Sequence, residues 1–325
     1  MIQCNKARMV IVIITMSAVI GTPGVKWGEE ERARWFSQAN VVQRSYHDDV
    51  LVKVEKLKEH FDVEHIGTLS YDEKYKLHVV ATRDWDASKP TILVTGGVHG
   101  YEWGGVHGAL AFLENRALSY VDRFNIIVNP CISPWGYETI NRWTPNAVDP
   151  NRTFSDGSSE EAAAMLKYLA HRREGNPSFR ILAHFDLHET TDSDATTFRP
   201  ALFARDGRPA NEVSKFIPDG FYLVGNSLAL QPEFQTAIIE EVRKVTHIAP
   251  PDANGNLIST MPLVQEGLVQ CPAKELGLCM GLTDAEYVTT TEMYPDGQNI
   301  TPAQCVAAQV AVVVGGLEYL SRIQS

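Results

Sequence analysis

Short apolar runs punctuate the chain, each closed by a glycine-rich or polar turn. The clearest is Thr91 to Gly97, β-branched and aliphatic until it stops at Gly96-Gly97. Phe124 to Cys131, Arg180 to Leu187, Phe221 to Gly225 and the threonine-rich Glu286 to Thr291 read the same way. Runs of this length and composition predict buried strands. Val63 to Ser70 and Tyr75 to Arg83 predict a strand pair joined by the polar turn Tyr71-Asp72-Glu73-Lys74. Between these runs apolar residues recur every three or four positions, which predicts helices. They cover Glu29 to His60 (one helix or two), Trp103 to Leu118, Ser159 to Glu174 and Pro232 to His247. A last helix opens at Thr301-Pro302-Ala303-Gln304, with Thr as N-cap, Pro in the first turn and Gln positioned to close a capping box. The strand–helix–strand order from Thr91 to Cys131 predicts parallel pairing, hence an α/β fold. Thr190 to Gly220 and Asp252 to Leu282 carry no readable period and predict loops around a site.

The chain's 325 residues, 44% hydrophobic and 21% charged, suffice for one large domain. No linker, repeat or low-complexity tract divides it. A net charge of −11 argues against a nucleic-acid partner. The five cysteines form no Cys-x-x-Cys pair, which removes zinc-finger and redox motifs. Beyond Cys4, the remaining four allow two disulfides or four free thiols; Cys131 reads as a small buried hydrophobe. Lys6 and Arg8 precede the apolar run Met9 to Ile20 and then Gly21-Thr22-Pro23-Gly24, the pattern of a secretory leader. The run is short for a stable membrane span. The expected division is therefore a leader over 1–27 and a single catalytic domain over 28–325. The protein would be secreted or membrane-associated if the leader works, and cytoplasmic otherwise.

The chemistry lies at the ends of the strands, where open α/β sheets bind ligands. His99 and Glu102 follow the Thr91–Gly97 strand on one turn. A lone His-x-x-Glu is weak, since about one is expected by chance in such a chain. A second, His171 and Glu174, sits on a polar helix and reads as solvated surface. The Arg180–Leu187 strand delivers His188, and the Glu286–Thr291 strand delivers Glu292. Two imidazoles and a carboxylate are a His₂Glu catalytic zinc set with one open position. Bound there, zinc lowers the pKa of water from about 15.7 toward about 7 and polarises a carbonyl. A nearby carboxylate must then carry the proton; Glu292 is the first candidate and Glu189 the second. His184 and Asp186 share a strand face with His188 and could fix a ligand's orientation from behind. Arg142, Asn151 and Arg152, between the second and third strand ends, can serve an oxyanion or an anionic substrate group.

Taken together, His99-x-x-Glu102, Asn129-Pro130 through Gly136-Tyr137-Glu138, Val148-Asp149-x-Asn151-Arg152-x-Phe154, His188 and Thr289-Thr290-Thr291-Glu292 resemble the M14 zinc carboxypeptidases in identity and order, from about Thr91 to the C-terminus. The resemblance implies a mixed, mostly parallel eight-stranded sheet flanked by helices and one Zn²⁺ per chain on His99, Glu102 and His188. It further implies Asn151 and Arg152 on the substrate's terminal carboxylate, Arg142 at the oxyanion and Glu292 as general base and acid. The segment around Arg142 is poorer in arginine than in the family, and Asp149-Pro150-Asn151 departs from its usual form. Asp186-Leu187-His188-Glu189-Thr190 is closer to the aspartoacylase and succinylglutamate desuccinylase relatives, which cleave N-acyl amino acids. The single helix after Glu292 favours the carboxypeptidase side. Tyr222 and Tyr287 are the candidates for a substrate-capping tyrosine. The expected substrate is a peptide or N-acyl amino acid with a free carboxylate. The alternatives are a deacylase and a catalytically silent peptide-binding module.

Overall fold

The computed structural model describes residues 20–174, 176, 178–209, 216–258 and 261–324. The expected leader falls outside them except at its exit. There Ile20 and Trp27 are buried in the core, the Trp27 indole donating to the Ile20 carbonyl at 3.1 Å. The packed chain thus begins before the boundary expected at Gly28.

The first segment forms two helices, α1 (Glu29–Ala39) and α2 (Val52–Leu57), the latter entered through a π-turn at His47–Leu51. Strands β1 (Phe61–Thr68) and β2 (Lys76–Thr82) pair antiparallel across the expected turn. Then come β3 (Thr91–Gly96), α3 (Trp103–Asn115), β4 (Asn125–Asn129), a short α4 (Pro134–Thr139), α5 (Glu160–Glu174) and β5 (Ile181–Glu189). The stretch expected to be irregular holds a π-turn, Asp194–Phe198, running into α6 (Arg199–Arg205). Phe198 and Phe203 are buried there despite their polar neighbours, and that burial pays the helix's ordering cost. Next are β6 (Phe221–Asn226) and α7 (Pro232–Val242), which stops short of His247 and takes no side-chain cap from Gln231. A small hairpin, β7 (Asn256–Ile258) and β8 (Met261–Pro262), and an edge strand, β9 (Leu268–Cys271), occupy the second stretch expected to be loop. β10 (Tyr287–Met293) and α8 (Pro302–Ile323) complete the chain, α8 with the capping box of Thr301 and Gln304.

The eight-stranded sheet has the order β1-β2-β4-β3-β5-β10-β6-β9. β4/β3, β3/β5, β5/β10 and β6/β9 are parallel; β1/β2, β2/β4 and β10/β6 are antiparallel. This is the expected mixed, mostly parallel sheet flanked by helices. Every residue of β3 and β4 is buried, as expected where both faces of a sheet are covered. One packed layer contains Ile92, Val94, Phe185, Phe234 and Val312; the other contains Leu93, Ile127, Met165 and Val288.

Two features aim the strand ends. Gly97 has φ +62°, and a Cβ there would lie 2.6 Å from Val106 Cγ2, so the chain turns sharply after β3. Gly105 in α3 lies so close to β5 that a Cβ would stand 2.3 Å from the Leu187 carbonyl oxygen. The helix is thereby drawn down against the ends of β3 and β5.

α8 is the one helix among the described residues long and apolar enough to cross a membrane, and 61% of its apolar window is buried. It packs on α3 and α7 as a core helix. Cys131, Cys271, Cys279 and Cys305 are all buried free thiols.

Candidate metal centre

β3, β5 and β10 are adjacent in the middle of the sheet and run parallel. Their carboxyl ends therefore open on one crevice. His99 and Glu102 lie on the turn after β3; His188 is near the end of β5, and the β5/β10 register sets Glu292 beside it. Residues 89 and 104 positions apart are thus brought together by strand pairing alone.

Glu102 joins the two imidazoles. Its Oε1 lies 2.6 Å from Nδ1 of His99 and its Oε2 2.8 Å from Nδ1 of His188. One donor atom from each of the three residues lies within 4.8 Å of the others. All three are buried, and the two rings meet edge to face with centroids 4.8 Å apart. The opposite nitrogens are also held: Nε2 of His99 is 3.0 Å from Asp149 Oδ1, and Nε2 of His188 is 3.1 Å from Asp186 Oδ2. A proton on each Nε2 leaves both Nδ1 lone pairs facing Glu102, the tautomer a metal ligand needs.

The donor set suits a divalent cation. Glu102, Asp149 and Asp186 are three buried carboxylates around two imidazoles. Burial opposes charge on His188, but Asp186 and Glu102 overcome it and hold its pKa well above the usual value. Burial likewise works against the Glu102 carboxylate, yet His188 and His99 keep its pKa below the ordinary range. A centre that draws positive charge onto its imidazoles against the cost of burial is one that a +2 ion fits.

The remaining expected residues surround this cluster. Arg142 is held by Asp149 at 3.1 Å and Asp194 at 3.1 Å, with its NH1 4.0 Å from Glu102 Oε1. Asn151 accepts the Cys279 backbone N–H at 2.7 Å, and Arg152 donates to the Asn151 carbonyl at 2.5 Å. Arg142, Arg152, Glu102 and Glu292 line one cleft of about 480 Å³, walled by Trp143, Tyr222, Ile258 and, on α6, Leu202. Glu292 accepts from the Thr190 hydroxyl at 2.6 Å, and burial together with the Glu102 charge pushes its pKa up to about 7. The Glu189 carboxylate also reaches the cleft, but it accepts the Gly104 N–H at 2.8 Å at the start of α3. Burial raises its pKa to about 8. Its backbone N–H holds Glu102 Oε2 at 3.1 Å. Tyr287 packs edge-on against Phe234 and at a tilt against Tyr319, whereas Tyr222 lines the cleft. His171 and Glu174 lie exposed on α5, 3.6 Å apart.

Sequence reasoning did not single out Asp149 as the partner of His99, nor Asp194 and Tyr101. Asp194 Oδ1 receives both the Tyr101 hydroxyl at 2.7 Å and the Arg142 guanidinium. Asp149 left one trace, a Pro-Asn turn for which its side chain accepts the Asn151 N–H at 3.0 Å.

The sheet and its buried His-Glu-His cluster define a candidate metal-dependent α/β protein. Residues 50–191 match the zinc carboxypeptidase family, peptidase M14. Among solved structures, a candidate metallopeptidase of Shewanella denitrificans is 14% identical, with 84% of this chain and 88% of that one covered at a TM-score of 0.61. A metallo-carboxypeptidase from Burkholderia cenocepacia is 14% identical, with coverage of 92% and 70% and a TM-score of 0.53. Bovine thrombin-activatable fibrinolysis inhibitor, solved with a tick carboxypeptidase inhibitor, is 12% identical over 92% and 98% of the chains at 0.51. A Caulobacter sp. protein named as a probable transaldolase is 36% identical over 90 residues, and the chain spans 38% of its length. That match covers only 27% of this chain and carries no activity to it. Across residues 50–191 the chain is thus similar to the M14 zinc carboxypeptidases, and these solved structures share its fold.

Proposed function

We propose that the chain is a zinc-dependent metallocarboxypeptidase that removes the C-terminal residue of a peptide by hydrolysis. The observation that carries this reading is the convergence of His99, Glu102 and His188 on one point, with each imidazole backed by its own carboxylate. Zinc held by these three would supply Lewis acidity, making a water acidic and polarising the scissile carbonyl.

The chain's own residues supply the rest. Glu292 stands beside His188, and a carboxyl with a pKa near 7 can both take a proton from water and return it to the leaving nitrogen. Arg142 is held by Asp149 and Asp194 before any substrate arrives, so its guanidinium needs no reorganisation to face a developing oxyanion. Arg152 lines the cleft and offers a second guanidinium for the substrate's terminal carboxylate, while the neighbouring Asn151, proposed as its partner there, lies buried against Cys279. Trp143, Tyr222 and Ile258 give the cleft apolar walls beside the reacting groups.

The test is a zinc count on the purified protein combined with two assays: single-residue release from unblocked C-terminal peptides, and acid release from N-acyl amino acids. About one zinc per chain with peptide trimming is the expected result. Acid release without trimming would reassign the site to N-acyl-amino-acid deacylation, and bound zinc with neither activity would reduce it to a binding module.

A further inference from the structure

Glu292 ends a long, flexible side chain, and holding a Glu in one place costs rotamer freedom. Among the described residues, the hydrogen bond that reaches its carboxylate comes from Thr190, at 2.6 Å. Thr190 is itself fixed. Its backbone N–H donates to the Met293 carbonyl at 3.0 Å, which locks it to the end of β10. Its hydroxyl also lies 2.8 Å from the hydroxyl of Tyr222, a buried residue of β6 that pairs with Glu292 in the β10/β6 register.

The proton directions follow from the donor inventory. An ionised carboxylate only accepts, and Thr190 has a single hydroxyl proton, so that proton goes to Glu292. The free lone pair of Thr190 must then accept from Tyr222, a phenol that is protonated at neutral pH. The order Tyr222 to Thr190 to Glu292 runs one way while Glu292 is ionised, and each donor polarises the next.

We infer that Thr190 and Tyr222 are positioning residues for Glu292: a two-hydroxyl relay holds its carboxylate in place beside the zinc ligands, and Tyr222 acts through Thr190 rather than on the substrate. This rests on Glu292 being the base of the proposed reaction. It gives Tyr222, which lines the cleft, a role other than capping the substrate.

The experiment compares Thr190→Val, Thr190→Ser, Tyr222→Phe and the Thr190→Val/Tyr222→Phe double variant, each as the zinc-loaded full chain and each crystallised. Thr190→Val should lower kcat about tenfold or more with KM and zinc content unchanged, the size expected for one lost charge-assisted hydrogen bond. Thr190→Ser should restore kcat. Tyr222→Phe should have a smaller effect, and the double variant should match Thr190→Val, because the relay has already been cut. In the crystals the Glu292 carboxylate should leave its place in Thr190→Val and keep it in Thr190→Ser. A raised KM for Tyr222→Phe that adds to the Thr190→Val effect would put the phenol on the substrate and overturn the inference. So would an undisplaced Glu292 in Thr190→Val. If the wild type hydrolyses neither substrate class, the catalytic reading fails while the crystal comparison still decides the relay.

Discussion

The carboxylate of Asp186 lies 3.1 Å from Nε2 of His188, on the side of the ring turned away from Glu102. Asp186 is held in turn. Its Oδ1 accepts from Thr95 at 2.8 Å, and the Thr95 hydroxyl also meets Nε2 of His184 at 2.9 Å and Sγ of Cys279 at 3.5 Å. The Thr95 hydroxyl therefore fills the centre of the His184, Asp186 and Cys279 group, and that second buried cluster serves the first as support. Carboxylates behind ligating imidazoles fix ring orientation and raise ligand basicity. Asp186→Asn keeps the volume and removes the charge, so zinc affinity should fall about 10- to 100-fold. A competition titration with a chromogenic chelator measures it. An affinity equal to wild type would remove Asp186 from the support of the site.

Glu292→Gln separates chemistry from binding. The amide keeps the size and can still meet Thr190, but it cannot take a proton from water. Zinc content should be unchanged while kcat falls by about 10²- to 10⁴-fold, the usual contribution of a positioned general base. Turnover within a factor of a few of wild type would exclude Glu292 as the base.

Gln309 of α8 is fully buried and makes two hydrogen bonds at the heart of the site's scaffold. Its Nε2 donates to the His188 carbonyl at 2.8 Å, and its Oε1 accepts from Thr291 at 2.7 Å. The C-terminal helix thus pins the ends of β5 and β10 to each other. Gln309→Leu would leave a buried carbonyl and a buried hydroxyl each short of this partner. At about 1–3 kcal/mol per group the ceiling is about 6 kcal/mol of unfolding free energy, and a loss of about 2 kcal/mol is expected because the Thr291 hydroxyl can still donate to the His188 carbonyl at 3.3 Å. Urea denaturation of the zinc-free protein reads it, and a change below about 0.5 kcal/mol would show the side chain to be dispensable.

How far the sequence foretold this arrangement depends on the range of each interaction. His99, His188 and Glu292 could be read because each follows an apolar run, and parallel β3, β5 and β10 bring such ends together. The capping box at Thr301 and Gln304 could be read because it is local. Asp149 could not: its contact with His99 spans 50 positions through irregular chain. The same holds for Asp194, whose partners Tyr101 and Arg142 lie in other loops. β9 is four residues long, too short for a periodic signal. The α6 segment reads as polar although Phe203 and the preceding Phe198 are buried, Phe198 against the distant Tyr101 with ring centroids 4.6 Å apart.

Glu161 supplies a pH test far from the metal centre. It sits in the first turn of α5, 1% exposed, with Oε1 accepting the Tyr71 hydroxyl at 2.5 Å and Oε2 without a hydrogen-bond partner among the described residues. Burial pushes its pKa from 4.5 up to about 7, although the Tyr71 hydrogen bond pulls the other way. Between those two values the folded chain binds more proton at this site than the unfolded chain does. Unfolding free energy therefore falls as pH rises from about 4.5 to about 7, and the loss is complete above that. Glu161→Gln keeps an acceptor for Tyr71 and cannot ionise. Its stability should equal wild type near pH 4.5 and exceed it at pH 8 by about 3 kcal/mol. Because other titrating groups are common to both proteins, the difference between their denaturation curves isolates this carboxyl. A difference that stays constant from pH 4.5 to pH 8 would mean that Glu161 ionises in the folded protein as it does in water.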